Sequence, residues 1–410
     1  MNTLALMRAD ARLDPRLRFD GPRSEFEANP RAILLTGATG FLGAFLLEEL
    51  LNLTGADVYC LVRAASAEAA RTRLLDHLRA SGVWRDDRAE RLVALPGDLS
   101  KPSMGLSETD YAFIAERVDA IYHNGAWINA LLSYEDLRAI NVLGTAEVLR
   151  LAGTGSVKPI HYVSTLAIFF GDAHAGQVLT EDELPEADAG LKGGYKQSKW
   201  VAESLVREAG TRGLPTTVHR PGKILGHSGT GHNSNLRDTL CIVLKACVLI
   251  GAYPDVDSRI DVTPVDHVAR AIVQLSREAG APGRAFHICN PEPVAWTEFM
   301  GMVEDSDYPL ARMAYPDWID AIGRASACRP DEPVFRQLRL LLRSPIHLFA
   351  NTKPHFSAEA THHRLRAAGL ACPRLDASLM ATYLAAFQRC GFLPVPDAGR
   401  AGMPPGGRSK

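Results

Sequence analysis

From Ala32 the chain alternates short apolar runs, rich in β-branched residues, with longer amphipathic stretches. That is the pattern of a parallel sheet whose strands are joined by crossover helices. The spacing predicts strands at Ala32–Thr36, Val58–Val62, Leu92–Leu95 and Ala120–His123, continued by Ile160–Ser164 and Thr216–Arg220. Phe41, Leu42, Phe45, Leu46 and Leu50 recur at helical spacing and predict a helix over Phe41–Leu53. The expected fold class is α/β, a doubly wound parallel sheet.

A chain of 410 residues exceeds what one core usually fills, since cores seldom grow beyond ~250–300 residues. A second, smaller lobe is therefore expected. After Gly222 the pattern loosens into Gly226–Asn235, rich in Gly, His, Ser and Asn, which reads as a loop. Helices are expected at Leu236–Ile250 and Val262–Ser276, then a strand at Ala285–Cys289, then helices at Trp296–Val303, Tyr315–Gly323, Val334–Leu342 and Asp376–Cys390. The expected division is a linker-like segment 1–30, a first domain 31–225 and 256–290, and a smaller, mostly helical second domain 226–255 and 291–395. A Pro- and Gly-rich tail, 396–410, is expected to be disordered.

Composition removes several function classes. Forty-five basic against 47 acidic residues give a net charge of −2, without the basic face a nucleic-acid footprint needs. The seven Cys are scattered, odd in number and never spaced C-x-x-C, so reduced thiols are expected rather than a disulfide frame or a zinc site. The first thirty residues carry charges throughout and show no signal-peptide core. The longest apolar run, around Leu240–Gly251, is interrupted by Lys245 and too short to span a bilayer. A cytoplasmic protein without membrane partners is expected.

The string Thr36–Gly43, TGATGFLG, follows the first strand and opens the first helix. Gly37 would permit the tight turn, Gly40 would let the backbone approach a pyrophosphate, and Gly43 would let helix and strand pack closely. With Thr39, Phe41 and Leu42 they form a Rossmann-like dinucleotide loop, in which the helix N-terminus offers free N–H groups to phosphate. Twenty residues after Gly43 stands Arg63, where an NAD site usually offers a carboxylate to the ribose. A guanidinium there suits a 2′-phosphate, so NADP(H) is the expected cofactor and the first domain its binding domain. Arg73 is either a second phosphate ligand or part of a solvated helix face. Asp98, with Leu99 beside it in PGDLS, could reach the adenine amino edge, or cap the turn into the next helix.

In GGYKQSKW, Tyr195 and Lys199 fall at i and i+4, on one helix face. A phenol of pKa near ~10 is a poor proton partner at neutral pH, and a nearby ammonium lowers that value. The preceding strand ends in His161-Tyr162-Val163-Ser164-Thr165, so hydroxyls would emerge at the carboxyl edge of the sheet, where ligands bind in such folds. Either Thr165 or Ser164 could hydrogen-bond a substrate carbonyl oxygen.

These motifs resemble those of the extended short-chain dehydrogenase/reductase superfamily. More narrowly, the chain resembles the thioester reductase domains that terminate nonribosomal peptide and polyketide synthases, carboxylic acid reductases and aminoadipate reductases. The matching strings are LLTGATGFLG, LVRA, PGDLSKP, YHNGA, NVLGTAEVLRLA, KPIHYVST, GYKQSKW, HRPGKILG, TPVDHVARAIVQLS and FHICNPEP, in order from Leu34 to Pro293. A weaker match, AGLACPRLD through GFLPVP, extends to Pro396.

The resemblance implies Thr165, Tyr195 and Lys199 as the catalytic triad, with Ser164 beside them toward substrate. It implies that Asn124, Gly125 and Ala126 line the cofactor and that Pro221, Gly222 and Ile224 contact its nicotinamide side. The function it implies is NADPH-dependent reduction of an acyl or peptidyl thioester to an aldehyde, or through a second cycle to the alcohol, with a phosphopantetheinylated carrier protein as partner. No serine of the chain lies in a carrier-type attachment motif, so the acyl donor is expected in trans or from a preceding portion of a synthase. The alternatives are an acyl-CoA reductase, or another extended short-chain oxidoreductase or epimerase acting on a small molecule or nucleotide sugar. No metal site is expected, because His362 and His363 adjoin on a surface helix and His227 and His232 sit in a loop without Cys or carboxylate company. The arginines from Arg71 to Arg91 read as a solvated helix face, with carrier docking as the other use.

Overall fold

A computed structural model describes residues 2–23, 29–187, 189–342, 349 and 354–396. Seven strands form one sheet: β1 (Ala32–Thr36), β2 (Asp57–Val62), β3 (Leu92–Pro96), β4 (Ala120–His123), β5 (Ile160–Val163), β6 (Thr216–Pro221) and β7 (Ala285–Ile288). Their order is β7-β6-β5-β4-β1-β2-β3, and every neighbouring pair is parallel. Helices cover both faces of such a sheet, which is why β1 (AILLT) is buried at every position and reads as an unbroken apolar run. The order reverses between β1 and β4, the switch point where ligands bind in doubly wound folds.

The helices that matter to the site are α1 (Thr3–Asp10), α2 (Phe41–Leu53), α3 (Ala67–Ala80), α4 (Glu108–Arg117), α5 (Tyr134–Arg138), α6 (Gly144–Ala152) and α7 (Gly194–Thr211). α5 runs into α6 through a π-helical turn, Ala139–Leu143. Such turns cluster at functional sites.

The chain divides into two compact units, and the larger comprises Met1–Ile224, Thr263–Pro291 and the described part of Thr352–Cys372. Two of its parts differ from the sequence reading. Residues 1–30, read as linker-like, contribute α1, and Met7, Leu13 and Phe19 are buried in the unit's core. Asp10 receives two hydrogen bonds of 2.6 Å from Arg138 and one of 2.7 Å from Tyr134, while Arg212 donates to the carbonyls of Leu13, Asp14 and Leu17. The region around 354–372 also belongs with the sheet rather than with the second domain. His355–Phe356 pairs in parallel with Val178–Leu179, and His362 lies 2.9 Å from the Cys289 carbonyl.

The arginine run is likewise not all solvated. Arg88 is buried against Asn52 and Glu48, and Arg91 donates to the carbonyls of Leu51, Thr54 and Ala56. Arg91 thereby serves the C-terminal end of α2, where carbonyls lack helical partners.

The smaller unit comprises the described parts of Leu225–Val262, Glu292–Asn351 and Pro373–Lys410; of the tail 396–410, expected to be disordered, residues 397–410 lie outside the described residues. It holds helix α8 (Thr239–Ile250), started by the Asp238 side chain and ended by Gly251 in the left-handed conformation. Helices Trp296–Glu304, Tyr315–Cys328, Pro333–Leu341 and Ala377–Arg389 surround a core containing Trp296, Phe299, Trp318, Phe335 and Tyr383. A pair of parallel strands, Ala252–Asp255 with Ala311–Ala314, adds a β element the sequence reading lacks. No helix among the described residues is long and apolar enough to cross a membrane.

Candidate active site

The glycine loop begins where β1 ends. Gly37 takes φ +77°, and a Cβ there would meet the backbone of Asn124 and Gly125 at 2.8–2.9 Å; one on Gly43 would sit 1.9 Å from the Gly37 carbonyl oxygen. Only glycine fits either place. Gly40, at the N-cap of α2, provides no side-chain hydrogen bond to the first turn, which leaves the N–H groups of Phe41 and Leu42 facing outward from a helix N-terminus. Thr39 is partly exposed, and Phe41 packs edge-on against Phe45. This cradle fits a dinucleotide pyrophosphate.

Asn124 donates to the Gly37 carbonyl at 3.4 Å, and the Gly125 N–H donates to Thr36 Oγ1 at 2.9 Å, so the start of the loop after β4 is fastened to the glycine loop. Thr36 in turn lies 2.7 Å from His123 Nδ1, His123 Nε2 lies 2.9 Å from Thr145 Oγ1, and Thr145 donates to the Asn141 carbonyl at 2.7 Å. Each hydroxyl has its role fixed, so His123 is the neutral tautomer with the proton on Nε2. Burial, assisted by the charge of Lys199, lowers His123 to about 3.

At the tip of β2, Arg63 is exposed, and Arg73 reaches back from α3 to donate to its carbonyl at 2.7 Å. The two guanidinium-bearing residues therefore share one corner of the sheet edge. Asp98 Oδ1 accepts from the Ser100 N–H and hydroxyl at 2.9 and 2.8 Å, the turn-forming use of that side chain. Burial raises its carboxyl, but Ser100 and the charges of Arg63 and Lys101 outweigh that and hold it below the ordinary value. Leu99 packs beneath the Gly125 backbone.

Tyr195 stands in the first turn of α7, partly exposed, with Lys199 one turn on and buried. Lys199 Nζ donates to the Val163 carbonyl at 2.6 Å and lies 4.1 Å from the centre of the Tyr162 ring. The ammonium thus sits at the carboxyl end of β5, next to Ser164 and Thr165. Burial pulls Lys199 down to about 7 although the Glu203 charge acts in the opposite direction. Thr165 Oγ1 accepts the Ala167 N–H at 3.1 Å and keeps its own proton to donate.

The neighbouring hydroxyl differs. Ser164 donates to Glu203 at 2.5 Å and is 3% exposed, which commits it to the interior. Glu203, a further turn along α7, also accepts from Arg220 at 2.6 Å and from Arg207 at 3.1 Å. Arg220 donates to the carbonyls of Glu181 and Glu183 and to His287 Nε2. Burial raises the Glu203 carboxyl, but the two arginines and Ser164 more than offset it, so it is held below its ordinary value. Pro221 ends β6 one residue beyond Arg220, the Gly222 N–H donates to the Ile288 carbonyl at 2.9 Å, and Ile224 is partly exposed.

Sequence reasoning passes over Asn141, His123, Ser198, Glu203 and Arg220. Asn141, in the π turn, donates to Ser198 Oγ at 2.9 Å, and Ser198 donates to the Tyr195 carbonyl at 2.9 Å. None of them is singled out by spacing or composition, since each acts through partners distant in the chain or through an irregular turn.

A glycine cradle on a doubly wound sheet, with a Tyr-x-x-x-Lys pair at its carboxyl edge, defines an NAD(P)-dependent oxidoreductase of the short-chain dehydrogenase/reductase class. A family model described as "Male sterility protein", of the NAD-binding type, matches residues 35–272. The chain superimposes on the terminal R domain from the myxalamid PKS-NRPS biosynthetic pathway with a TM-score of 0.90 and 41% identity, covering 97% of this chain and 100% of that one. An R domain of a nonribosomal peptide synthetase from Mycobacterium tuberculosis gives 0.77 and 28%, over 96% of each chain. The isonitrile lipopeptide synthase of Streptomyces coeruleorubidus is 38% identical over 97% of this chain, and a linear gramicidin synthase of Brevibacillus parabrevis 35% over 93%. The chain spans 27% and 8% of those two proteins' lengths. It belongs to the family of terminal reductase domains of nonribosomal peptide and polyketide synthases, within the extended short-chain dehydrogenases/reductases.

Proposed function

We propose that the chain reduces an acyl or peptidyl thioester, carried on the phosphopantetheine arm of a carrier protein, to an aldehyde with NADPH. The observation that carries this reading is the bond of Lys199 Nζ to the Val163 carbonyl, two residues before Thr165 in the chain, with Tyr195 one turn before Lys199 on the same helix. The nicotinamide, when bound, supplies hydride to the thioester carbonyl carbon. Thr165 and Tyr195 hold the carbonyl oxygen by hydrogen bonds, and Tyr195 gives that oxygen its proton as negative charge develops there. Lys199 steadies the phenolate that remains. The resulting hemithioacetal loses its C–S bond, and the hydroxyl proton leaves with the sulfur, giving an aldehyde and a free thiol. Gly37, Gly40 and Gly43 with Thr39, Phe41 and Leu42 would cradle the pyrophosphate; Asn124, Gly125, Ala126, Leu99 and Asp98 would line the adenosine side; Pro221, Gly222 and Ile224 would face the nicotinamide. Arg63 and Arg73 favour the 2′-phosphate by charge.

The test follows loss of reduced-nicotinamide absorbance with NADPH or NADH and an acyl-pantetheine or carrier-loaded thioester, with the product trapped. NADPH-selective aldehyde formation that falls about 10²–10⁴-fold in Tyr195→Phe, the usual reach of a positioned acid, is expected. Tight NADPH binding without turnover of any thioester would overturn the reading.

A further inference from the structure

Residues 124–133 form neither helix nor strand, yet hydrogen bonds hold their backbone at several points. At the start, Asn124 and Gly125 are fastened to Gly37 and Thr36. In the middle, the Asn141 side chain accepts the Trp127 N–H at 2.7 Å and donates to the Trp127 carbonyl at 3.1 Å. Asn129 Oδ1 accepts the Leu131 N–H at 2.9 Å and turns the chain. At the end, the backbone of Leu132 and Ser133 presses on Gly194, the residue before Tyr195, so closely that a Cβ there would lie 2.3 Å from the Ser133 carbonyl carbon. The segment thus runs from the cofactor cradle to the catalytic tyrosine.

What this frame carries outward is apolar. Trp127 is 45% exposed, Ile128 66% and Leu131 59%. Seven large apolar side chains are exposed among the described residues, and three of them fall in this one segment. Scattered exposed apolar residues are ordinary, but a concentration of them beside a reaction centre marks a binding surface. A pinned backbone also means that little ordering entropy is lost when a ligand arrives.

We propose that Trp127, Ile128 and Leu131 form a platform for the apolar acyl chain of the substrate while its carbonyl lies at Tyr195 and Thr165, and that they set the preference for long acyl groups. The proposal rests on the thioester-reduction reading above. The pantetheine arm is a poorer occupant, because its amides and hydroxyl need polar partners, whereas the Asn141 amide is engaged at both ends with Trp127 and Ser198 and Asn129 keeps only its amide nitrogen to offer. A second copy of the chain is poorer still, since three side chains fall short of the ~800 Å² per partner that a stable interface buries.

Because Asn141 holds Trp127 through its backbone, the indole can be removed without releasing the frame. The experiment compares the wild type with Trp127→Ala, Trp127→Phe and the double variant Ile128→Ser/Leu131→Ser, using acetyl-, hexanoyl- and decanoyl-pantetheine and decanoyl loaded on a carrier protein. The ratio of decanoyl to acetyl kcat/KM is expected to fall about tenfold in Trp127→Ala and in the double variant, through KM, on pantetheine and carrier alike. Trp127→Phe is expected to restore most of it. An equal loss at every chain length overturns the proposal; so does a loss confined to the carrier-loaded substrate, which would make the surface a carrier dock, or a change of oligomeric state in sedimentation. Equilibrium binding of decanoyl-pantetheine, weaker by the same factor in Trp127→Ala, reads the platform even if the wild type reduces no thioester, and unchanged binding overturns it.

Discussion

Along the carboxyl edge of one sheet, two charged regions are built on opposite terms. Beside β2, Arg63 is exposed and Arg73 reaches it through a backbone carbonyl. Between β5, α7 and β6, the side chains of Glu203 and Arg220 are wholly buried, and Lys199 and Ser164 are each 3% exposed. Charges in water exchange partners at little cost, whereas a buried charge must have every partner in place. On the proposed function, the first region would set which nucleotide is preferred while the fold stays as it is. The second makes the position of the Thr165 strand and the Tyr195 helix a consequence of folding, because Glu203 on α7 holds both Ser164 and Arg220.

The largest expected effect tests that second statement. Glu203→Leu strands the Arg220 charge in the interior and should cost about 3–5 kcal/mol in urea denaturation, whereas Glu203→Leu with Arg220→Met should recover most of it. Tyr195→Phe, by contrast, should move stability by less than about 0.5 kcal/mol. If Glu203→Leu costs no more than a surface substitution, the two regions do not differ in the way described.

Arg63→Ala probes the exposed region. Losing a charge-assisted contact to phosphate is worth about 1.5–3 kcal/mol, so kcat/KM with NADPH should drop roughly 10–100-fold while that with NADH changes little. The denaturation midpoint should stay where it is. An equal drop with both nucleotides would show that Arg63 supports the fold or the pyrophosphate rather than the 2′-phosphate. Arg73→Ala should act in the same direction by only a few-fold, about what one partly solvated charge contributes.

The contrast also explains which parts of the molecule can be read from the sequence. The first six strands of the sheet appear within one residue of their expected limits, and α2 at its expected limits; the signal is plainest in β1, whose five buried residues make an almost unbroken apolar run. Gly37 and Gly43 are legible for a steric reason that is local to the loop. Glu203 is not, since its partner Arg220 lies seventeen residues on and only the β5-β6 pairing brings Ser164 to the same carboxylate. Asn141 acts from a π turn, whose hydrogen-bond pattern has no signature in residue spacing. α1 offers a single buried residue, Met7, as its apolar signal, too little to separate a helix from a linker. The strands Ala252–Asp255 and Ala311–Ala314 are each short and pair only over a long stretch of chain.

The smallest effect concerns protons, and it links the buried region to the reaction. In the nucleotide-free protein Lys199 is pulled down to about 7 by burial, so it is charged below that pH and neutral above it. Only the charged form lowers the barrier to a phenolate at Tyr195. The kcat/KM for NADPH-dependent reduction should therefore fall as pH rises through about 7, by up to about tenfold per unit. His123, lowered to about 3, is neutral across the whole assay range and should add no second limb near the ordinary histidine value. Lys199→Arg keeps its charge at every accessible pH, so its profile, though lower throughout, should be flat where the wild type declines. A wild-type profile that is itself flat from about pH 6 to 9 would mean that the ammonium is not what prepares Tyr195, and the buried region would then serve the fold alone.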